Sequence, residues 1–386
     1  MYKMNLAKVL AGATALTLIV ASAPVRADEG VMVPASQTDP GLQAIPTDAM
    51  PSKNGHAKTP AGVYAANMID AGKVMFSYTP MYMRMEGNYI GTTKVSPETI
   101  VTTVPSGLTM NSGGMTVPEM YRIVPTSMDV ETHMFHLMYG VADGINLMAM
   151  ASYLNKSMSM TTFAGSAGST VLGQSSSSTS GVGDTTVNSL WRIYQSQASY
   201  AHMDWGLSLP TGSINASASM LTPMNKIMTM RATYGMQLGT GTVDLLPGLT
   251  YVNHADRWSW GWAYRGRIPL GNNSNGYRYG DKHELDAWSG YDLTHIVTLT
   301  GRIAGTTQSA IHGADPQISG LMQGSNPAFY GGKRIDLLGG IAISGAAYGY
   351  RSSNLSIEAG GTVYQNLNGP QLGNAWQVNA AVGIGM

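Results

Sequence analysis

Two sets of residues in this chain have the types and spacing to do chemistry. The first is a set of charges at alternate positions of strand-like segments: Arg192, His202, Asp204, Asp244, Arg265, Arg267, Glu284, Asp286, Arg302, Arg334, Asp336 and Glu358. Both signs are present. Such groups either line a polar pore or substrate wall, or pair across strands and fill the inside of a narrow barrel. The second set is soft: Met81, Met83, Met134, His136, Met148 and Met150 recur at alternate positions of three segments. Thioethers with imidazole suit Cu(I). The same methionines also serve as filler of an irregular interior or as contacts for apolar ligands. Catalysis has less to stand on. His133, His202 and His283 have no Gly-x-Ser-x-Gly partner motif, and Asp281–Glu284 (DKHE) is one short motif at a loop–strand junction. No enzyme and no catalytic residue is expected.

Those spacings have meaning only if the segments are strands. Trp258, Trp260, Trp262 and Tyr264 share one face, and Ser259, Gly261, Ala263 and Arg265 share the other. Leu355, Ile357, Ala359 and Val363 oppose Ser356, Glu358, Gly360 and Thr362. Successive side chains on a strand point to opposite faces, so each segment has an apolar and a polar side. About twelve segments behave this way: 74–85, 129–140, 145–154, 184–194, 200–209, 242–252, 258–268, 283–292, 295–305, 334–344, 354–364 and 376–386. Their connections alternate in length. The long ones are 86–128, 155–183, 210–241, 269–282, 306–333 and 365–375; the short ones include 141–144, 195–199, 253–257 and 293–294. This predicts an all-β, antiparallel, up-and-down transmembrane barrel with short periplasmic turns and long outer loops. A charge on the lipid face near the midplane costs about 2–4 kcal/mol, so the charged set is expected inside. With Phe135, Leu137 and Tyr139 facing out, Met134, His136 and Met138 face in. Glu131 and His133 then point to the lipid side unless a bulge intervenes.

Composition agrees. Charged residues are 11% of the 386, and Lys+Arg and Asp+Glu are both 22. The usual charged share is about 25%. A net charge of zero gives no reason to expect a nucleic-acid partner. Hydrophobic residues reach 44%, yet beyond the N-terminus no run is long enough for an apolar membrane helix. Tyr (20) and Trp (7) outnumber Phe (4), and rings with a polar tip suit a membrane–water boundary. There is no cysteine, so disulfides, thiolate metal sites and a lipidated cysteine are excluded. Lys3 and Lys8, an apolar run Val9–Ala21 and Val25-Arg26-Ala27 predict a cleaved secretory signal over 1–27. Residues 28–73, rich in Pro, Ala, Asp and Gly, read as a flexible periplasmic leader, and 74–386 as the barrel. Outer-membrane lipid and the barrel assembly machinery are the expected partners. The final residue, Met386, departs from the aromatic that commonly serves that machinery.

Five phrases recur in a familiar order: GVGD (181–184), LSLPTGS (207–213), MQLGTGTVDLLPGLTY (236–251), YRYGDKHEL (277–285) and NLNGPQL (366–372). Over roughly 74–386 the chain resembles the outer-membrane transporter family named for the MetA pathway of phenol degradation. The resemblance implies a Gram-negative outer-membrane barrel that passes small, often aromatic, molecules. It brings no site residues with it. The expected function is a channel or transporter for small solutes, with a lumen lined by mixed charges and Met. The alternative is a Met/His-rich barrel that binds or handles a soft metal ion such as Cu(I).

Overall fold

The computed structural model describes residues 59–112, 114–345 and 353–386. The expected signal, 1–27, and the stretch 28–58 of the expected leader lie outside the described residues. The barrel is built from β1 (Val74–Gly91), β2 (Ile123–Ala142), β3 (Ile145–Phe163), β4 (Thr185–Gln195), β5 (Ser199–Leu209) and β6 (Asp244–Ala255). It continues through β7 (Trp258–Pro269), β8 (Lys282–Asp292), β9 (Val297–Gln308), β10 (Gly332–Ser344) and β11 (Ser353–Gly385). Each pairs antiparallel with the next, and β11 closes the ring on β1.

A closed ring whose neighbours are all antiparallel needs an even number of passes, and β11 supplies two. Its residues 354–367 pair with β10, and 367–385 pair with β1. Asn379 Nδ2 donates to Glu358 Oε1 at 2.7 Å, and Asn374 N donates to Gln365 Oε1 at 3.2 Å. The two halves of β11 therefore face each other as a hairpin, and the barrel has twelve passes. Val74 and Met386 exchange backbone hydrogen bonds at one end, as an even count requires. The twelve segments expected from the sequence correspond to these passes.

Alternation decides which way each side chain points. Trp258 is 55% exposed on the outside, while Arg302 and Glu358 are 6% and 1% exposed within. Leu285, Leu299, Ile303, Leu337, Ile357 and Trp376 are likewise exposed outward. An apolar outer band around a polar interior inverts the plan of a soluble protein and matches a bilayer. Glu131 and His133 do lie on the outward face, and the register of β2 is unbroken from Ser127 to Gly140. Polar groups on this face of β2 find partners. His133 Nδ1 and Tyr78 Oη are 2.7 Å apart, and Asp129 accepts from Tyr82 Oη at 2.6 Å and Arg84 Nη1 at 2.5 Å. The Asp129 pairs lie toward the loop end of β1 and β2, where interfacial Tyr is expected, whereas Tyr78 lies nearer the short-turn end of β1.

The long connections carry more structure than loops. The serine run Ser175–Ser178 lies in a strand, Val171–Val182, that pairs with the outer half of β3. Two connections turn back onto β1–β3 and cover the outer opening. Lys156 Nζ on β3 donates to the carbonyls of Gly235 and Gln237 at 2.9 and 2.6 Å. Gln323 Nε2 donates to Asn88 Oδ1 at 2.7 Å and to Pro370 O at 2.6 Å. Beneath these bonds Met83, Met128, Met158 and Met160 of the wall pack against Met220, Met236 and Met322 of the connections. Thioether chains with three rotatable bonds suit such an irregular joint.

Candidate functional site: an arch inside the barrel

The part of the expected leader that is described, 59–73, is neither free nor outside the barrel. Thr59, Ala61, Val63, Ala66, Met68 and Ile69 are buried. Residue by residue the segment climbs the lumen and descends again. Gly62 N donates to Glu358 Oε1 at 3.1 Å. Ala65 O lies 2.9 Å from His202 Nε2 and accepts from Arg265 Nη2 at 3.4 Å, beside Tyr64 O at 3.2 Å. Tyr200 Oη donates to Ala66 O at 2.9 Å. Asn146 clamps Ile69 on both sides, accepting from its N–H and donating to its carbonyl, each at 2.9 Å. Gly72 N donates to Gly140 O at 2.7 Å just before β1 begins. The segment is an arch with Tyr64 and Ala65 at its crown.

Local chemistry explains the arch. Ala65 has φ +53°, a conformation disfavoured for residues with a Cβ, and two polar side chains approach its carbonyl. The Arg265 guanidinium lies 5.5 Å from the centre of the Tyr64 ring. Gly62 and Gly140 mark the closest approaches. A Cβ on Gly62 would collide with Arg302 and Glu358, and one on Gly140 with the carbonyl of Asp70. Hydrogen bonds to charged groups are worth roughly 1.5–3 kcal/mol each, so Arg265 and Glu358 are substantial anchors.

All twelve charged positions face inward. His202, Asp204, Asp244, Asp286, Arg302, Asp336 and Glu358 are buried, and Arg192, Arg265, Arg267, Glu284 and Arg334 are half-buried. Eleven of them form or flank three knots. Arg302 bridges Asp286 at 2.7 Å and Glu358 at 2.5 Å. Asp204 sits between Arg265 at 3.1 Å and His202 at 3.3 Å. Arg267 joins Asp244 at 2.5 Å to Asp184 at 3.0 Å, and Asp184 in turn holds the Thr240 backbone at 2.9 Å. Lys282–Glu284 (2.9 Å) and Arg334–Asp336 (2.8 Å) complete the wall. Arg192 stands apart at the short-turn end, with Asp143 and Gln195. Pairing across strands and gripping the arch is what these charges do here.

The soft set does not converge. β1, β2 and β3 are neighbours, but the six residues lie at different heights. Met83 belongs to the outer methionine cluster, and Met148 packs low in the barrel with Met75, Met138 and the arch residues Met68 and Ile69. Met81 and Met134 stand opposite Thr132 and Ser152. Only His136 and Met150 are direct cross-strand partners. Facing can be read from alternation, whereas height depends on register, which the sequence does not display.

Above the crown of the arch lies a cavity of about 190 Å³. Tyr64, Met148, Met150, Leu190, Leu246 and Pro247 give it an apolar side, and Asp204, Arg265, Arg267, Lys282 and Glu284 a charged one. Sequence reasoning missed Tyr64, Asn146 and Asp184. Tyr64 and the rest of the arch have no period to detect. Asp184 stands at the head of β4 in the quoted GVGD motif, and that motif was its one available signal.

No protein-family model and no curated protein matches the sequence. Solved structures do. An outer-membrane channel of Pseudomonas putida F1 is 12% identical over 84% of this chain and 99% of its own, with a TM-score of 0.51. The likeness shows the fold alone, a closed antiparallel β-barrel of the outer-membrane kind. The β domain of the Bordetella autotransporter BrkA (10% identity, 82% and 100% covered, TM-score 0.43) and the monoaromatic hydrocarbon channel CymD (9%, 82% and 88%, 0.37) also match, too distantly to carry an argument. At such identities the channel fold transfers no site residue, and the MetA-pathway resemblance rests on its motifs alone.

Proposed function

We propose that this protein is an outer-membrane channel for small solutes, exported through the signal at 1–27, that rests in an occluded state. The observation that carries the reading is the arch: a series of hydrogen bonds from wall side chains and backbone holds 59–73 across the lumen. A purely structural barrel needs no such segment, and an open pore would not place its charges on one. Passage requires the arch to move aside on the periplasmic side and the covering connections to part on the outer side.

The cavity above the crown supports a reading of the solute class. An apolar cavity of about 150 Å³ takes a benzene ring, so 190 Å³ is the scale of one ring or short chain. Arg265, Arg267 and Lys282 beside Leu246 and Pro247 favour a solute with an apolar body and a polar or anionic end. Planar-bilayer recordings test the channel reading. The full chain should show rare, brief openings, and a chain lacking 59–73 should conduct far more often, provided heat-modifiable gel mobility confirms its barrel. Absence of both conductance and liposome uptake in either form would refute a transport role.

A further inference from the structure

We propose that the low methionine row beneath the arch is a binding site for one soft monovalent metal ion, with Met75, Met138, Met148 and His136 as ligands. The inference stands apart from the channel reading. It rests on two observations. First, register sets Met75 opposite Met138 and Met138 opposite Met148, in one row across β1, β2 and β3. His136 lies two residues from Met138 on the same inward face. Directly opposed residues have Cβ atoms about 4.5–5.5 Å apart, so flexible Met chains can bring their sulfurs to one point. Second, these four side chains line one cavity of about 80 Å³. His136 is 6% exposed there, and its Nε2 has no hydrogen-bond partner. A buried ring nitrogen without a partner is costly, and a metal ion is a group that would use it.

The donor set names the ligand class. Three thioethers and one imidazole are soft, and among the described residues no carboxylate lines this cavity. That favours Cu(I) or Ag(I) over Zn(II), Mg(II) or Ca(II). Thioethers bind without losing a proton, so the site needs no thiolate in a chain that has no cysteine. By analogy with zinc, bonds of roughly 2.3 Å to sulfur and 2.0–2.1 Å to nitrogen are expected. Met68 and Ile69 of the arch pack on Met138 and Met148, so a bound ion sits under the arch and fastens it. Met81, Met83, Met134 and Met150 are not part of this site.

Purified full-length barrel is titrated with Ag(I), and with Cu(I) under reductant, against a competing chelator. One tightly bound ion per barrel is expected. Met138→Leu with Met148→Leu should weaken it at least about 100-fold, while Met83→Leu with Met160→Leu, in the outer cluster, should leave it unchanged. X-ray absorption of the loaded wild-type protein should show sulfur and one nitrogen around the ion, and this reading stands even if a variant misfolds. No retained ion, equal weakening by both pairs, or a shell without nitrogen overturns the proposal and leaves a cavity for water.

Discussion

The two walls of the lumen hold the same arch with different balances of polar and apolar contact. The wall from β5 to β11 holds 59–66 through polar side chains that reach the arch backbone: Glu358, His202, Arg265 and Tyr200. Most of these grip peptide groups, which every residue possesses. On β1–β4, by contrast, Met68 and Ile69 of the arch are packed against Met75, Met138, Met148 and Leu190, with Asn146 as a polar clamp. On the charged wall polar grips are joined by a smaller apolar contact of Val63 and Ala66 with Val252, Ala263 and Trp288, whereas on the methionine wall apolar packing dominates. Breaking a buried charge leaves uncompensated partners; breaking an apolar contact leaves a hole. These failures have different sizes, and that difference can be measured.

The largest effect is expected on the charged wall. Arg302→Met strands Asp286 and Glu358 in the interior and should destabilise the barrel by roughly 3–5 kcal/mol, read from the urea midpoint of heat-modifiable mobility. Adding Asp286→Asn and Glu358→Gln should recover most of the loss, because neutral partners need no cation. Failure of that rescue would mean that packing rather than charge dominates this wall. On the methionine wall, Met138→Ala should cost about 2–5 kcal/mol and Met138→Leu under about 1.5 kcal/mol, by the same readout. Equal costs for the two would contradict a packed contact. Gly62→Ala, which crowds Arg302 and Glu358, should cost about 1–3 kcal/mol and should raise channel opening frequency.

The smallest effect lies in the outer connections, which cover the barrel mouth and do not touch the arch. Burial pushes the Tyr330 hydroxyl up to about 12, against about 10 for a free tyrosine. Its neutral form is favoured in the folded state. The stabilisation is therefore complete below pH 10 and is lost as pH rises from 10 through 12. Tyrosinate absorbance of the wild type minus that of Tyr330→Phe should rise near pH 12 and not near pH 10.

The barrel was legible because lipid and lumen impose period two on every pass. All twelve passes and the inward side of Arg265, Asp286 and Glu358 follow from that one rule. The arch was not legible, since a segment held largely by its backbone needs no hydrophobic period, and its Pro, Ala and Gly content reads as a loose leader. The methionine set was grouped by facing alone. Register places Met83 eight residues along β1 from Met75, which shares the row of Met138 and Met148, and nothing in the local sequence reports it.

The central claim is that 59–73 is fastened inside the barrel by these walls, and amide hydrogen exchange of the purified full-length protein tests it most directly. The Gly62, Ile69 and Gly72 amides donate to Glu358, Asn146 and Gly140. The account predicts that peptides covering 59–73 exchange slowly, and that Arg302→Met speeds the Gly62 region more than the Gly72 region. Exchange of the whole segment at the rate of an unstructured chain would contradict it.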